Sequence, residues 1–508
     1  KDEQGVIDAA IVMGTDLNKN TLKKMELLTE DGAIATENDT LISINCKDKN
    51  SLNDAIQKAE RLLTSNTTKS KNEFNSLASA LHAFDNANIA SLSIPGKFVK
   101  EMATELIRKQ LHLFVFSDHV PLEDEIYLKN LALENNVLFM GPEAGTSILN
   151  GTVFGFGNRV RSGSVGIIGA SGTGIQESST MIDLFGEGIS HGIGVGGRDL
   201  RNDIGGMMTM KTMEIFEDDP NTKAVLLVSK PVGDDVRNKI INKINNFSKK
   251  NYVICLIGDN ENREDSAKIK FSKSIQTSVL KILKYVNDDT YKKIKDVVRK
   301  QVDDSIKLAE SLSNDLNSEQ KFVRGFFAGG TLCYESKIIL EQMIGKVHSN
   351  LSSDDEYSIK GNAASKENTL IDFGEEEFTS ARPHPIIDPL LRKNRILEDA
   401  DDPNVGVIII DIICGINAAK NTMAFHAETI KKAIENAKEK GRKLSVFAYI
   451  CGTEKDVSEN ELKLLTDSGA KLFASNSLMS FAAALVVKNL DESLIKKIRA
   501  EFLEGELL

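Results

Sequence analysis

The sequence has few cysteines and no long uninterrupted apolar run. Its five cysteines include no CxxC pair, and an odd count at this low density favours a reducing compartment over a disulfide framework. The longest apolar stretch, VGVIIIDIICGI, is interrupted by Asp411, and the start, KDEQGVIDAAIVMG, lacks a basic region followed by an apolar one. We therefore expect a cytoplasmic protein without a signal peptide or a membrane span.

Patterns for metal binding and nucleophilic catalysis are also missing. No group of histidine, cysteine and aspartate has convincing zinc spacing, so no metal is expected. Cys333, Cys414 and Cys451 lie beside turns that could face a ligand, but no histidine and aspartate accompany them in the sequence. We interpret all three as small buried residues. The net charge of -11 comes from interspersed acids and bases, which argues against nucleic acid or an anionic membrane as a partner.

The composition is that of a multidomain globular enzyme. A chain of 508 residues is too long for one core and corresponds to about three or four domains. Short β-branched runs alternate with helical stretches, as is typical of parallel sheets with crossover helices, so the fold class is α/β. From Ile89 the pattern predicts a βαβαβ unit, whose last strand ends in GPEAGT at residues 141–146.

The chain contains an internal repeat. Residues 214–228, EIFEDDPNTKAVLLV, match residues 396–410, ILEDADDPNVGVIII, as a helix end, a DDPN turn and a buried strand. Upstream of each lies a turn of small residues that opens a helix, ASGTG at 170–174 and AGGTL at 328–332. The repeat predicts two flavodoxin-like domains related by pseudo-symmetry, which follow an N-terminal Rossmann-like domain.

The predicted domain boundaries follow these patterns. They are a Rossmann-like domain at 1–160, a first flavodoxin-like domain at 161–285, a helical and acidic connection at 286–380 that includes the second phosphate-type helix start, and a second flavodoxin-like domain at 381–508.

The two repeated turns are candidate phosphate sites. Unpaired N–H groups and the positive end of the helix dipole attract an anion to a helix start. A plain Ser/Thr cap is an equal alternative for one turn, but recurrence in a duplicated domain favours two helix starts that share one anion. Thr173 and Thr331 are each expected to cap their helix and also to face the bound anion. The predicted phosphate-binding residues are Ser171, Gly172, Thr173, Gly174, Gly329, Gly330 and Thr331.

Two further loops carry candidate binding groups. The glycine-rich loop HGIGVGGRD at residues 191–199 contains Arg198, and Arg201 lies two residues after it. Their guanidinium groups suit carboxylate or phosphate oxygens. A Rossmann dinucleotide site ranks low, because no acidic residue closes the next strand. In RPHP, Arg382 and His384 are presented by a rigid loop, which could equally be a linker stiffened by proline.

Several long motifs give a family resemblance over essentially the whole chain. VGIIGASGTGIQE and HGIGVGGRD look like the ligase domain of the succinyl-CoA synthetase α subunit, and FSDHVPLEDEIYLK, GPEAGTSILNG, FAGGTLCYES, FGEEEFTSARPHPIIDP and CGTEKD resemble the FdrA family. That family resembles an α subunit fused to a β-like domain. The resemblance implies that residues 1–160 are a CoA-binding-type domain, that 161–285 are a ligase-type domain, and that both flavodoxin-like domains are of the succinyl-CoA synthetase type. The synthetases hold a phosphohistidine between two helix starts, but the matching stretch here, GDNENREDSAKIKFSKS, contains no histidine.

The resemblance implies an acyl-phosphate enzyme without a phosphohistidine. FdrA-type proteins are linked to purine catabolism as part of an oxamate carbamoyltransferase, which converts oxalurate and phosphate to oxamate and carbamoyl phosphate. The implied roles are phosphoryl binding by the two turns, and substrate binding by Arg198, Arg201, Gly452 and Thr453. Catalysis is assigned to Arg382 and to His384, the candidate acid/base.

The expected ligands are phosphate or carbamoyl phosphate as substrate. The first βα turn, VMGTDLNKNT, lacks the glycines of a pyrophosphate loop, which weighs against CoA binding. Partner subunits and a homo-oligomer are expected. The alternatives are an ADP-forming acyl-CoA ligase subunit, whose nucleotide domain another protein supplies, and a non-catalytic scaffold of the same fold.

Overall fold

The computed structural model describes residues 5–64, 73–74, 76–259, 261, 263–361, 363–380 and 382–503. The chain forms two compact units, the smaller made of Lys1–Ala87, Lys360–Ala363 and Glu375–Pro385 and the larger of Asn88–Ile359, Ala364–Gly374 and Ile386–Leu508. None of the helices in the described ranges is both long and apolar enough to cross a membrane.

The smaller unit contains a two-stranded antiparallel sheet. Its strands are β1 (Val6–Met13) and β2 (Thr40–Cys46), and its helices are α1 (Asp16–Lys24), α2 (Glu30–Ile34), α3 (Lys49–Thr64), α4 (Leu77–Ala83) and, from the later segment, α13 (Glu376–Thr379). Both strands are only partly buried, which is typical of an antiparallel sheet packed on one face. The single Rossmann-like domain predicted for residues 1–160 is therefore divided, because β1 and β2 pair only with each other among the described strands.

The larger unit begins with a three-stranded parallel sheet in the order β3-β4-β5. It consists of β3 (Ile89–Leu92), a 3-10 turn (Gly96–Phe98), α5 (Val99–Arg108), β4 (His112–Val115), α6 (Leu122–Glu134) and β5 (Phe139–Met140). The predicted βαβαβ unit is confirmed.

A seven-stranded sheet follows in the order β12-β11-β10-β8-β9-β6-β7. Its strands are β6 (Thr146–Leu149), β7 (Thr152–Gly155), β8 (Ser162–Gly169), β9 (Ile189–Gly194), β10 (Ala224–Ser229), β11 (Asn251–Leu256) and β12 (Ile269–Ser272), with helices α7 (Gly172–Leu184), α8 (Met207–Asp218), α9 (Asp234–Phe247) and α10 (Ile275–Val286). The antiparallel hairpin β6–β7 forms one edge, and the remaining strands are parallel to one another.

After the long helix α11 (Asp288–Ser313), a six-stranded parallel sheet has the order β14-β15-β13-β16-β17-β18. Its strands are β13 (Phe322–Phe327), β14 (His348–Ser349), β15 (Thr369–Asp372), β16 (Val405–Ile413), β17 (Ser445–Cys451) and β18 (Lys471–Phe473), with helices α12 (Gly330–Ile344), α14 (Leu390–Ala400), α15 (Thr422–Glu439), α16 (Glu459–Asp467), α17 (Asn476–Val487) and α18 (Glu492–Leu503). The predicted boundary at residue 380 divides the strands of this sheet, because β13, β14 and β15 lie before that residue and the other three strands lie after it.

The internal repeat is confirmed by strand order. In the first copy β8, β9, β10, β11 and β12 are arranged as β12-β11-β10-β8-β9, and in the second β18-β17-β16-β13-β15 has the same sequence of positions. The central strands are buried on both faces, as expected for a parallel sheet covered by helices on both sides, and all nine residues of β16 are buried. Both sheets therefore place the carboxyl ends of β8 and β13, and the helix starts that follow them, at equivalent positions.

Candidate functional site

The start of α7 is formed as the sequence predicts. Strand β8 ends at Gly169, and Ser171 caps the helix by accepting a hydrogen bond from the Gly174 backbone N–H at 3.4 Å. Gly172 packs against the loop after β5, because a Cβ at this position would lie 3.1 Å from Gly145 Cα and from Thr146 Oγ1. Glycine thus allows the helix start to approach a neighbouring loop closely.

The start of α12 differs, because a carboxylate of the protein already occupies part of it. Gly329 has no capping side chain, and Asp411 of β16 accepts hydrogen bonds from the backbone N–H groups of Ala328 and Gly329 at 2.8 and 2.7 Å. Arg392 of α14 pairs with Asp411 at 3.3 Å. Burial raises the pKa of Asp411, against the opposing effect of Arg392. Gly329 was predicted to bind phosphate through its amide, but that amide is bound to Asp411.

The two helix starts touch each other. The Ser171 hydroxyl is hydrogen-bonded to the Thr331 hydroxyl, and the Thr331 backbone N–H donates to Thr173 Oγ1 at 3.3 Å. The sequence analysis predicted that Thr173 and Thr331 cap their helices. This is wrong, because the N-cap residues are Ser171 and Gly329. The hydroxyl groups of Thr173 and Thr331 bridge the two helices instead, because the pseudo-symmetry brings equivalent turns face to face.

A lysine that the sequence analysis did not select lies beside this contact. Lys230 directly follows β10, and its ammonium group lies 3.6 Å from the place that a Cβ on Gly330 would take. It also lies over the Tyr334 ring, 5.6 Å from the centroid. The carboxylate of Asp372 approaches the same glycine. We call Ser171, Gly172, Thr173, Gly330, Thr331 and Lys230 the α7–α12 site.

Lys230 could have been found from its position. It directly follows Ser229, the last residue of the central strand β10. A residue directly after a central parallel strand lies at the edge where ligands bind in open α/β sheets.

Two carboxyl groups are buried next to the helix contact at equivalent positions of the repeat. Glu335 of α12 accepts hydrogen bonds from the Ile275 backbone N–H at 2.9 Å and from Asn476 Nδ2 at 2.8 Å. Glu177 of α7 faces the Asn476 backbone N–H and the Tyr449 hydroxyl. Glu335, in the second half, thus faces the start of α10 in the first half. Glu177, in the first half, faces the start of α17 in the second half.

Burial governs the ionisation of this pair. It raises the pKa of Glu335 to about 7. It also raises the pKa of Glu177 well above the usual value, and the negative charge of Glu335 adds to the shift. The sequence analysis missed both residues, since a glutamate inside a helix normally signals a solvated face.

The glycine-rich loop after β9 is anchored by buried charges. Arg198 Nε pairs with Glu125 at 2.8 Å, and its terminal nitrogen donates to the Val120 carbonyl at 2.8 Å. Lys129 links Glu125 at 2.9 Å to Asp199 at 2.8 Å. Arg198 therefore has a structural partner at the position predicted for substrate binding. Arg201 is exposed.

Gly452 and Thr453, also predicted to bind substrate, lie in a junction between the two halves of the larger unit. The Thr453 hydroxyl lies within hydrogen-bond distance of the Arg159 carbonyl, 3.0 Å, and of Asp456 Oδ2, 3.2 Å. A Cβ on Gly452 would lie 3.0 Å from a Val457 methyl group. The Thr453 contact with Arg159 connects the two halves of the larger unit. A role of Gly452 and Thr453 in binding substrate stays a prediction.

Arg382 and His384 belong to the smaller unit and are half-buried there. Their catalytic role stays a prediction. The cysteines match their interpretation: Cys333, Cys414 and Cys451 are buried, and burial raises the pKa of the thiols of Cys414 and Cys451. A raised thiol pKa opposes formation of the nucleophilic thiolate.

Comparison with known proteins gives three domain matches. The CoA-ligase model matches residues 326–486, the CoA binding domain model matches 160–247, and the model described as AllF, heavy metal-associated domain, matches 1–79. The CoA-binding match lies on the sheet that contains β8. This differs from the sequence analysis, which assigned CoA-binding-type character to residues 1–160.

The heavy-metal description does not fit the residues of this chain. Residues 1–79 contain one cysteine, Cys46, and no histidine. Soft metal ions select thiolate and imidazole ligands, so this segment offers one suitable ligand. No group of three or more histidine, cysteine, aspartate or glutamate side chains suited to a metal ion occurs among the described residues.

The chain is 35% identical to the protein YahF of Escherichia coli K12 over 481 residues, which is 93% of this chain and 91% of YahF. It is 27% identical to the alpha subunit of the ADP-forming succinate–CoA ligase of Methanothermobacter thermautotrophicus, over 35% of this chain and 59% of that subunit. A solved dinucleotide-forming acetyl-coenzyme A synthetase of Ca. Korarchaeum cryptofilum matches with 14% identity and a TM-score of 0.30, over 83% of this chain and 86% of that one.

Proposed function

Because the chain belongs to the same family as Escherichia coli YahF and contains a CoA-ligase domain, we propose that it is an enzyme subunit that binds phosphate or an acyl phosphate at the α7–α12 site. The bound anion would react directly with the acyl group, without a phosphorylated histidine. The finer proposal is carbamoyl transfer between oxalurate and phosphate, which yields oxamate and carbamoyl phosphate.

The direct contact between the two helix starts is the observation that carries the proposal. Ser171 and Thr331 share a hydrogen bond, and Thr173 accepts one from the Thr331 backbone, so hydroxyl groups from both halves meet at one point. The dipole of α7 and the Lys230 ammonium group add positive charge there. Asp411 neutralises part of the α12 start and the Asp372 carboxylate opposes an anion beside Gly330, so α7 and Lys230 would have to supply the attraction.

Direct transfer is supported by the lack of a histidine that could relay the phosphoryl group. No histidine occurs between His191 and His348 in the sequence, a segment that includes the stretch where the synthetases have their phosphohistidine. An acyl phosphate needs no such relay, because phosphate itself can attack the acyl carbon. Positioned donors that stabilise the developing oxyanion would then provide most of the rate acceleration.

A second candidate function is an ADP-forming acyl-CoA ligase subunit. It is favoured by the CoA-ligase and CoA-binding matches and by the relatives described as CoA ligases. In that case another protein would supply the nucleotide-binding domain, and the α7–α12 site would hold the phosphate of an acyl phosphate intermediate before CoA attacks it.

Anion binding by Lys230 variants tests the site. Loss of a charged hydrogen-bond donor costs about 1.5–3 kcal/mol, so K230M should bind phosphate and carbamoyl phosphate about 10-fold or more weakly in calorimetry. The matched control is K223M, because Lys223 is exposed and lies just before the amino end of the same strand. Equal affinities of wild type and K230M would contradict the proposed site.

Turnover assays separate the two reactions. Wild type is mixed with oxalurate and phosphate, and separately with labelled ATP, CoA and a carboxylic acid, each with and without partner subunits. Carbamoyl phosphate production supports carbamoyl transfer, whereas acyl-CoA formation that requires ATP supports the ligase. An acid-labile phosphoprotein would contradict transfer without a phosphorylated enzyme.

A further inference from the structure

Two loops lie beside the turn that opens α7. The loop after β5 contacts Gly172 through Gly145, and Thr146 at the start of β6 also contacts it. The loop after β9 passes the same place, because a Cβ on Gly197 would lie 3.9 Å from both the Ala170 carbonyl and Glu143 Oε2. The Glu143 carboxyl group and the turn that opens α7 are therefore both neighbours of Gly197, at the edge where the parallel strands end.

Glu143 is held in an unusual backbone conformation. Its φ is +58°, in the left-handed region that side chains other than glycine rarely adopt. Its backbone N–H donates to the Ser117 carbonyl at 3.1 Å, and the next N–H, of Ala144, donates to the Val115 carbonyl at 3.2 Å. Such strained positions persist where the surrounding structure fixes them, and they are concentrated at functional sites.

We propose that Glu143 is the general acid and base for acyl transfer in the α7–α12 site. The inference rests on the proposed function and names a catalytic residue for it. It also gives a role to two long motifs, FSDHVPLEDEIYLK and GPEAGTSILNG, which the sequence analysis used only for the family resemblance.

The proton transfer balances as follows. A phosphate oxygen attacks the acyl carbon, the new C–O bond forms and the bond from the acyl carbon to the leaving nitrogen breaks. The protonated Glu143 carboxyl donates its proton to that nitrogen, and the phosphate hydroxyl proton restores the carboxyl group. In the reverse direction the Glu143 carboxylate accepts a proton from the attacking nitrogen.

The surroundings of Glu143 suit a group that exchanges protons. The residue is exposed, and partial desolvation of its carboxyl group raises its pKa. Arg198 in the loop after β9 and His119 in the loop after β4 favour the carboxylate. Glu125 of α6 and Asp118, beside His119, favour the protonated form.

The test compares E143Q, E143D and the control E134Q, which changes an exposed glutamate at the last residue of α6. For each variant we would measure kcat, KM and the pH profile of acyl phosphate formation, phosphate binding by calorimetry, and Tm. Loss of an acid or base typically lowers the rate about 100-fold to 10,000-fold. E143Q should show this loss in kcat with KM and phosphate affinity within about 3-fold of wild type.

The pH profile separates catalysis from structure. In the direction of acyl phosphate formation, wild-type kcat should fall as pH rises through the Glu143 pKa, because the acid form is lost. E143Q should lack that fall, and E143D should recover part of the rate. If wild type forms acyl phosphate and E143Q has the same kcat, the role of Glu143 is overturned, whereas the proposed function is not. Loss of phosphate binding or of folding in both variants would make Glu143 structural and also overturn it. A wild-type protein without acyl phosphate turnover or phosphate binding would overturn the proposed function first.

Discussion

At the scale of single residues, the most unusual group is the buried carboxyl of Glu335. It accepts two hydrogen bonds, from Ile275 N and Asn476 Nδ2, yet no cation is paired with it among the contacts of the described residues. Burial therefore outweighs hydrogen bonding, and the pKa rises from 4.5 to about 7.

The raised pKa predicts that stability falls as pH rises. Between pH 4.5 and about 7 the folded protein binds a proton at Glu335 that the unfolded chain has lost, so the contribution is fully present below 4.5 and is lost towards 7. Its size is at most about 3 kcal/mol. Glu177 acts in the same direction.

Thermal unfolding between pH 5 and pH 8 checks this expectation. E335Q should have a shallower decrease of Tm than wild type, because glutamine does not ionise. Combining it with E177Q should flatten the curve further. Identical pH slopes in wild type and E335Q would show that Glu335 does not titrate in this range.

At the scale of elements, the two helix starts reach the same geometry by different chemistry. Ser171 caps α7 with its own hydroxyl, whereas Gly329 has no side chain and α12 obtains its acceptor from Asp411 of β16. The repeat therefore preserves the position of each helix, while the source of its cap has changed. Only the α7 start keeps the form that a plain anion-binding turn requires.

The threonines at these starts should affect binding more than stability. Thr173 and Thr331 form a bridge between helices, so each alanine variant should lose about 1 kcal/mol or less of folding stability and most of the protection that phosphate gives against heat. S458A is the control, because Ser458 caps the remote helix α16 in a capping box. It should lose about 0.5–2 kcal/mol while phosphate protection persists. T173A with wild-type phosphate protection would remove that threonine from the site.

At the scale of the whole molecule, a buried carboxylate joins the two halves of the larger unit. Asp456 accepts from Asn158 Nδ2 at 3.1 Å and from the Thr453 backbone at 3.2 Å, and it pairs with Arg159 at 3.1 Å. Asn158 and Arg159 precede β8 in the first half, and Asp456 follows β17 in the second.

Removing this junction should loosen the protein without abolishing anion binding. D456A leaves buried donors unpaired and should cost about 2–4 kcal/mol, seen as a lower Tm and faster proteolysis. T453V should lower Tm less and leave KM unchanged, since the Thr453 hydroxyl contacts Arg159 and Asp456. A raised KM in T453V at normal Tm would instead support the substrate role predicted from the sequence.

The sequence predicted most of the architecture, because local patterns govern it. The DDPN repeat and the small-residue turns are contiguous signals, and they correctly indicated two related parallel sheets with helix starts at equivalent strand ends. The antiparallel pairing of β1 and β2 was not predicted, since partner choice between strands depends on distant residues.

The sequence by itself determined the α/β class, the repeat and the two turns, because glycine, serine and threonine next to a buried strand act through their own backbone. The tertiary structure alone decided which groups meet there. Asp411 occupies the α12 start, Lys230 and Glu143 lie beside the helix starts, and Arg198 pairs with Glu125. Those residues are far apart in the chain, and their charges interact over a few ångströms only after the loops at the ends of separate strands have been brought together.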